Sequence, residues 1–172
     1  MTDMLHLKAI EIIGRSLRDA VAGDPKGREA MALGQYIAGM GFSNVGLGIV
    51  HSMAHPLSAL YDIPHGKACA MMLTAVLKFN APATGEKYRD LAKAMGVQNV
   101  DGMSKEEYQK AAIDAIQKLA DDVEIPKSLL EAGVKEEDIP FLAESAKNDA
   151  CTPGNPRDVS QAEIEEIYRS IL

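Results

Sequence analysis

Apolar residues recur at helical spacing along most of the chain. Between residues 2 and 22, Ile10, Ile13, Leu17, Ala20 and Val21 fall on one face, while Lys8, Glu11, Arg15 and Arg18 fall on the other. Gly23 ends that segment. Asp24-Pro25 then reads as an N-cap followed by proline at the first helical position, opening a second helix that runs to about Met40. Gly34, Gly39 and Gly41 lie in this stretch. Each costs roughly 1 kcal/mol against alanine inside a helix, so their presence predicts close packing against another element, or a turn.

A third helix is predicted from about Leu47 to Leu60, with Pro56 inside it to kink or divide it. Pro64 is placed to start a fourth, from His65 to about Asn80. Its run Ala68-Cys69-Ala70-Met71-Met72-Leu73 is apolar nearly all round and belongs deep in a core. Thr84 is expected to cap a helix with Tyr88, Leu91, Ala92 and Met95 inward. Two later helices open on capping boxes, Ser104-x-x-Glu107 and Ser160-x-x-Glu163, with another helix from Glu136 to Asp149 between them. The first presents Tyr108, Ala112, Ile116 and Leu119, the second Ile164, Ile167, Tyr168 and Ile171. The stretch Thr152-Pro153-Gly154-Asn155-Pro156 reads as a loop. No sustained alternation of strand type and no internal repeat occurs. The expectation is an all-α fold of about eight or nine packed helices, treated as one domain over residues 1–172.

Composition supports helices. There is no Trp, only 3 Phe and 5 Tyr, and the apolar share of 47% is carried by Ala, Leu, Ile and 9 Met. A net charge of -7, from 25 acidic and 18 basic side chains, argues against nucleic acid and against anionic membrane as partners. No apolar run is long enough to span a bilayer, and no basic segment followed by an apolar one opens the chain, so the default expectation is cytoplasmic. Cys69 and Cys151 are far apart and form no CxxC pair, which reads as free thiols.

Candidate chemistry rests on histidine. His51 and His55, four residues apart, share a helix face, and His65 follows Pro64 at a helix start that can aim its ring back at the pair. Spacing alone leaves a metal site and coincidence both open. Two or three imidazoles do not complete a catalytic shell, and no HExxH is present. His6 is read as an ordinary surface or core residue.

The string Gly46-Leu47-Gly48-Ile49-Val50-His51-Ser52-Met53-Ala54-His55-Pro56, followed by Tyr61-Asp62-Ile63-Pro64-His65-Gly66, resembles the signature of the iron-containing (group III) alcohol dehydrogenases. The resemblance extends through residues 31–44, through 85–90, through Asp149-Ala150-Cys151-Thr152 and through Gly154-Asn155-Pro156-Arg157, and so covers essentially the whole chain. It implies that the chain is like the C-terminal helical domain of that fold, and that His51 and His65 bind the metal. His55 would lie beside substrate and nicotinamide as the candidate for proton relay. The implied metal is Fe(2+), with Zn, Ni or Co open, and NAD(P) would carry the hydride to a small aldehyde.

The match is to one half of the family pattern. The Gly-rich loop and βαβ pattern of its N-terminal dinucleotide-binding domain do not occur in these residues, nor does the Asp-x-x-x-His pair that supplies two further ligands. The chain is therefore expected to bind metal weakly if at all, and to be inactive by itself. Rival expectations are one half of a split enzyme that needs a separate dinucleotide-binding chain, and a non-enzymatic helical binding module. Helix faces left bare by the missing half predict a homo-oligomer.

Overall fold

The computed structural model describes residues 1–172. Eight α-helices and five short 3-10 turns account for its regular structure, and it contains no strand. The helices are α1 (Thr2–Val21), α2 (Pro25–Val45), α3 (Ile49–Tyr61), α4 (His65–Asn80), α5 (Lys87–Ala94), α6 (Lys105–Asp122), α7 (Ile139–Lys147) and α8 (Gln161–Arg169). The all-α expectation holds. Both predicted capping boxes form. Ser104 and Ser160 accept the backbone N–H of Glu107 and Glu163, and each glutamate accepts the N–H of its own cap residue.

Where sequence and structure differ, a local cause is visible. Asp24 caps α2 as expected by accepting the Gly27 N–H, but the helix continues past Met40 to Val45. No breaker intervenes before Gly46, which turns out with φ +80°. Thr84 does not begin α5. Gly85 at φ +59° cannot join a right-handed turn, so the helix starts at Lys87. Helix α3 passes through Pro56 undivided, starting at Ile49 and ending at Asp62 in the left-handed region. The predicted helix from Glu136 becomes a 3-10 turn followed by α7, with Pro140 in its first turn. Val21, assigned to the apolar face of α1, is 61% exposed.

The helices gather into two compact units, each made of two separate stretches of chain. The first comprises Met1–Gly46 with Thr84–Glu124, and holds α1, α2, α5 and α6. The second comprises Leu47–Ala83 with Ile125–Leu172, and holds α3, α4, α7 and α8. Because the chain passes between units three times, no single linker marks a boundary in the sequence.

In the first unit α1 and α2 pack along their length, and both their partners and their glycines explain why. Gly27, Gly34 and Gly41 are the buried residues of α2, spaced by sevens on one side of the helix. A side-chain carbon on Gly34 would stand 3.0 Å from Ile13, and one on Gly41 would stand 2.5 Å from the His6 ring. The third predicted close contact does not exist, since the nearest atom to a carbon on Gly39 is 4.0 Å away. His6 is thus a packing residue against α2. Tyr88, Ala92, Tyr108, Ala112, Ile113 and Leu119 complete the buried set between α5 and α6, and Arg18 pairs with Asp122 at 2.7 Å to tie α1 to α6.

The second unit has the denser core. Met53 and Leu57 of α3, Met72 and Val76 of α4, Leu142 of α7 and Ile164 of α8 are all essentially buried. The buried run of α4 fits its all-round apolar sequence. The Tyr168 hydroxyl, also buried, donates to the Met53 carbonyl at 2.7 Å and so locks α8 to α3. Burial of this kind contributes about 25 cal/mol per Å² of apolar surface, and a buried hydroxyl left without a partner would offset much of it.

Candidate functional site

The second unit brings the three predicted histidines together. His51 and His55 stand one turn apart on α3. The short connection through Asp62, Ile63 and Pro64 then reverses the chain, and buried Ile63 anchors it. That reversal presents His65, the first residue of α4, back to α3. The ring centroids of His51 and His65 are 5.4 Å apart, those of His55 and His65 are 5.3 Å apart and stacked, and those of His51 and His55 are 6.4 Å apart. His6 is not part of this group.

The environment acts on the protonation of His51. Burial lowers the His51 pKa, and the neighbouring His65 and His55 lower it further against the opposing pull of Asp149. His51 is therefore a neutral imidazole at neutral pH, which is the form that can offer a lone pair to a cation.

His55 is held by a residue the sequence reading did not assign. Its Nδ1 lies 2.7 Å from Asp149 Oδ2. Asp149 sits just beyond α7, and its other oxygen accepts the Cys151 backbone N–H at 2.8 Å and the Ser52 hydroxyl at 3.3 Å. Burial works to raise the Asp149 pKa, but the Cys151 amide and His55 outweigh it and hold the carboxyl below its ordinary value. An ionised carboxylate only accepts, so His55 donates to it from Nδ1 and leaves Nε2 outside that bond.

The loop that carries Asp149 is firmly seated. The Thr152 hydroxyl donates to the Ala146 carbonyl at 2.6 Å. Asn155 and Asn80 exchange amide bonds at 2.8 and 2.9 Å. Arg157 donates to the Phe79 carbonyl, covers the Phe79 ring at 4.0 Å and pairs with Glu163 of the α8 capping box. These contacts pin the segment around Thr152–Pro156, read as a loop in the sequence, to α4, α7 and α8.

Cys69 was also unassigned. It lies one turn after His65 on α4, with Sγ 3.5 Å from His65 Nε2. Burial pushes its thiol up to about 11. The i, i+4 spacing of His65 and Cys69 was readable in the sequence. The pairing of His55 with Asp149, 94 residues apart, was not. Both cysteines are free.

His55 and Asp149 also form one end of a cleft of about 370 Å³ between α3 and α7. Pro56, Ala59, Leu60 and Phe141 give it an apolar lining, and Ser145 adds a hydroxyl. No helix of the protein is long and apolar enough to cross a membrane.

Known proteins share this sequence and architecture. The chain is 57% identical over 170 residues to lactaldehyde reductase of Escherichia coli strain K12, covering 99% of this chain and 44% of that protein. It is 46% identical over 171 residues to 1,3-propanediol dehydrogenase of Citrobacter freundii, covering 98% of this chain and 44% of that one. The crystal structure of a 1,3-propanediol oxidoreductase superposes with a TM-score of 0.96 at 43% identity, covering 99% of this chain and 45% of its own. An alcohol dehydrogenase from Oenococcus oeni gives 0.94 at 38%, with 99% and 45% covered. The chain thus spans less than half the length of the relatives it matches. The model described as "Fe-containing alcohol dehydrogenase family, C-terminal" matches residues 1–172 throughout, and the chain belongs to that family.

Proposed function

We propose that this chain is the helical, histidine-bearing part of a metal-dependent, NAD(P)-linked alcohol dehydrogenase that reduces a small aldehyde to an alcohol or diol. The observation that carries this reading is the convergence of His51, His55 and His65 within one four-helix unit. The residues fit a divalent cation. His51 and His65, both imidazoles beside an open face, would hold it, and iron, zinc, nickel and cobalt all accept such donors. When bound, such a metal polarises a substrate oxygen, and NAD(P)H supplies the hydride.

The other steps belong to this chain's own residues. His55 Nε2, outside the bond from Nδ1 to Asp149, would take up a proton from solvent and deliver it to the substrate oxygen in reduction, and accept it back in oxidation. Asp149 keeps the ring turned that way. The apolar wall of Pro56, Leu60 and Phe141 limits water beside it.

Joining the chain to the preceding part of the E. coli lactaldehyde reductase sequence tests the reading. The chimera should reduce small aldehydes with NADH and lose that activity with His51→Ala or His65→Ala. A folded chimera without activity refutes it. The 172-residue chain assayed alone should show no NADH-dependent aldehyde reduction, because its helices include no strand-based dinucleotide fold.

A second reading concerns association. Leu33, Tyr36 and Met40 lie on one face of α2 and are 54%, 63% and 43% exposed. Such a stripe supports docking on a second copy or on a separate dinucleotide-binding chain. Light scattering at micromolar concentration should report a species larger than the monomer, and a monomer counts against self-association.

A further inference from the structure

Two buried hydroxyls lie behind the pair formed by His55 and Asp149. Ser52 of α3 is fully buried, and Thr152, in the turn after α7, is nearly so. The two residues are 100 positions apart in sequence, and their hydroxyl oxygens are 2.8 Å apart. A hydroxyl buried in an apolar core gains stability only through the bonds it makes, so the partners of these two define what they do.

Each hydroxyl has one proton to give. That of Thr152 is shared between the Ala146 carbonyl at 2.6 Å and Ser52 Oγ at 2.8 Å. Ser52 thereby receives a bond and turns its own proton to Asp149 Oδ1, 3.3 Å away. The other carboxylate oxygen, Oδ2, faces His55 Nδ1 at 2.7 Å. A line of donors thus runs from Thr152 through Ser52 to Asp149, and bonds in such a line polarise one another. We propose that Ser52 is a positioning residue for the proton relay at His55: it holds Asp149 Oδ1 so that Oδ2 stays turned to His55 Nδ1. The inference rests on the reading of His55 and Asp149 given above and adds the group that aims the carboxylate. No proton leaves either hydroxyl.

The helix that carries Ser52 is what gives it this part. Ser52 and His55 are three residues apart on α3 and project from neighbouring points of one rigid element. Each meets a different oxygen of Asp149. Two contacts from one helix fix the plane of the carboxylate relative to the imidazole. One contact alone leaves the carboxylate free to turn about its Cβ–Cγ bond, a torsion with broad preferences. The Cys151 N–H also donates to Oδ1, at 2.8 Å, but it is two residues from Asp149 in the same loop. It sets the carboxylate against its own backbone, as in an Asx-turn, and not against α3. The register between carboxylate and helix comes from Ser52.

Long-range nitrogen–proton NMR on the metal-free full chain reads which ring nitrogen of His55 carries the proton. In the wild type it should be Nδ1. Ser52→Ala should lower the ratio of Nδ1–H to Nε2–H roughly fivefold, the effect of losing one net hydrogen bond. Ser52→Thr keeps the hydroxyl and should retain the wild-type ratio. Thr152→Val keeps the shape, removes the donor behind Ser52, and should shift the ratio the same way by less. An unchanged ratio in Ser52→Ala overturns the inference. So does a Ser52→Thr protein that behaves like Ser52→Ala, because shape and not the hydroxyl would then matter. If Ser52→Ala does not fold, an unchanged ratio in Thr152→Val overturns it instead. Asp149→Ala separates this inference from the reading beneath it. If that variant leaves the ratio unchanged, Asp149 does not orient the ring and both fall. If it shifts the ratio and Ser52→Ala does not, only the role of Ser52 falls.

Discussion

Replacing glycines of α2 with alanine should give opposite results on two sides of the same helix. In a helix interior, the alanine gains about 1 kcal/mol over glycine from propensity. At Gly39 nothing opposes that gain, since the nearest atom to a new Cβ is 4.0 Å away. At Gly27 the new Cβ would meet the backbone of α1, 2.6 Å from the Ala20 nitrogen and 2.8 Å from the Asp19 carbonyl carbon. Carbon atoms pack at about 3.5–4.0 Å, so the two backbones must separate locally by roughly 1 Å. Overpacking of that kind costs about 1–3 kcal/mol. Gly27 lies in the first turn of α2, where the propensity gain is smaller, so the net effect is a loss of about 1–2 kcal/mol. Gly34 meets flexible isoleucine side chains at 3.0 and 3.1 Å and should fall between the two. In a chain of this size 1 kcal/mol moves the melting temperature by roughly 2–4 °C. Thermal melts followed by circular dichroism should therefore rank Gly39→Ala above the wild type, Gly34→Ala near it and Gly27→Ala below it. A Gly27→Ala protein as stable as the wild type would refute the close approach of α1 and α2, and a destabilised Gly39→Ala would refute the open space at Gly39.

Three further outcomes follow from individual contacts. Ser160→Ala removes the Glu163 N–H acceptor at the start of α8 and should cost about 1 kcal/mol in urea denaturation, while Ser160→Asp should restore most of it. Burial pushes the Tyr88 hydroxyl up to about 12, against 10.0 ordinarily. Its contribution is then fully present below pH 10 and is lost as pH rises towards 12, at roughly 1.4 kcal/mol per pH unit. Alkaline melts of Tyr88→Phe should lose less stability over that window than the wild type, and parallel curves would show that Tyr88 is not the group responsible. Asp149→Ala should release His55 from its Nδ1–H form. Long-range nitrogen–proton NMR on the metal-free chain should show the proton moving to Nε2, and an unchanged His55 pattern would mean that Asp149 does not orient the ring.

Sequence alone determined the helical character of the chain and most of its helix starts. Those features are local. Period 3.6 fixes which face is apolar, and caps such as Asp24, Ser104 and Ser160 satisfy N–H groups within three residues of themselves. The sequence also named His51, His55 and His65, because two are an i, i+4 pair and the third follows a short proline turn. Tertiary structure decided what surrounds them. Asp149 reaches His55 only because α7 packs on α3 and its terminal loop is pinned by Thr152, Asn155 and Arg157. The division into two four-helix units arises from contacts between stretches far apart in the chain, for which no linker composition exists. Gly27, Gly34 and Gly41 mark the physical limit between the two kinds of information. Their seven-residue spacing is visible in the sequence, but only the facing helix α1 shows what a methyl group there would meet, backbone at Gly27, isoleucine side chains at Gly34 and the His6 ring at Gly41, whereas at Gly39 it has open space.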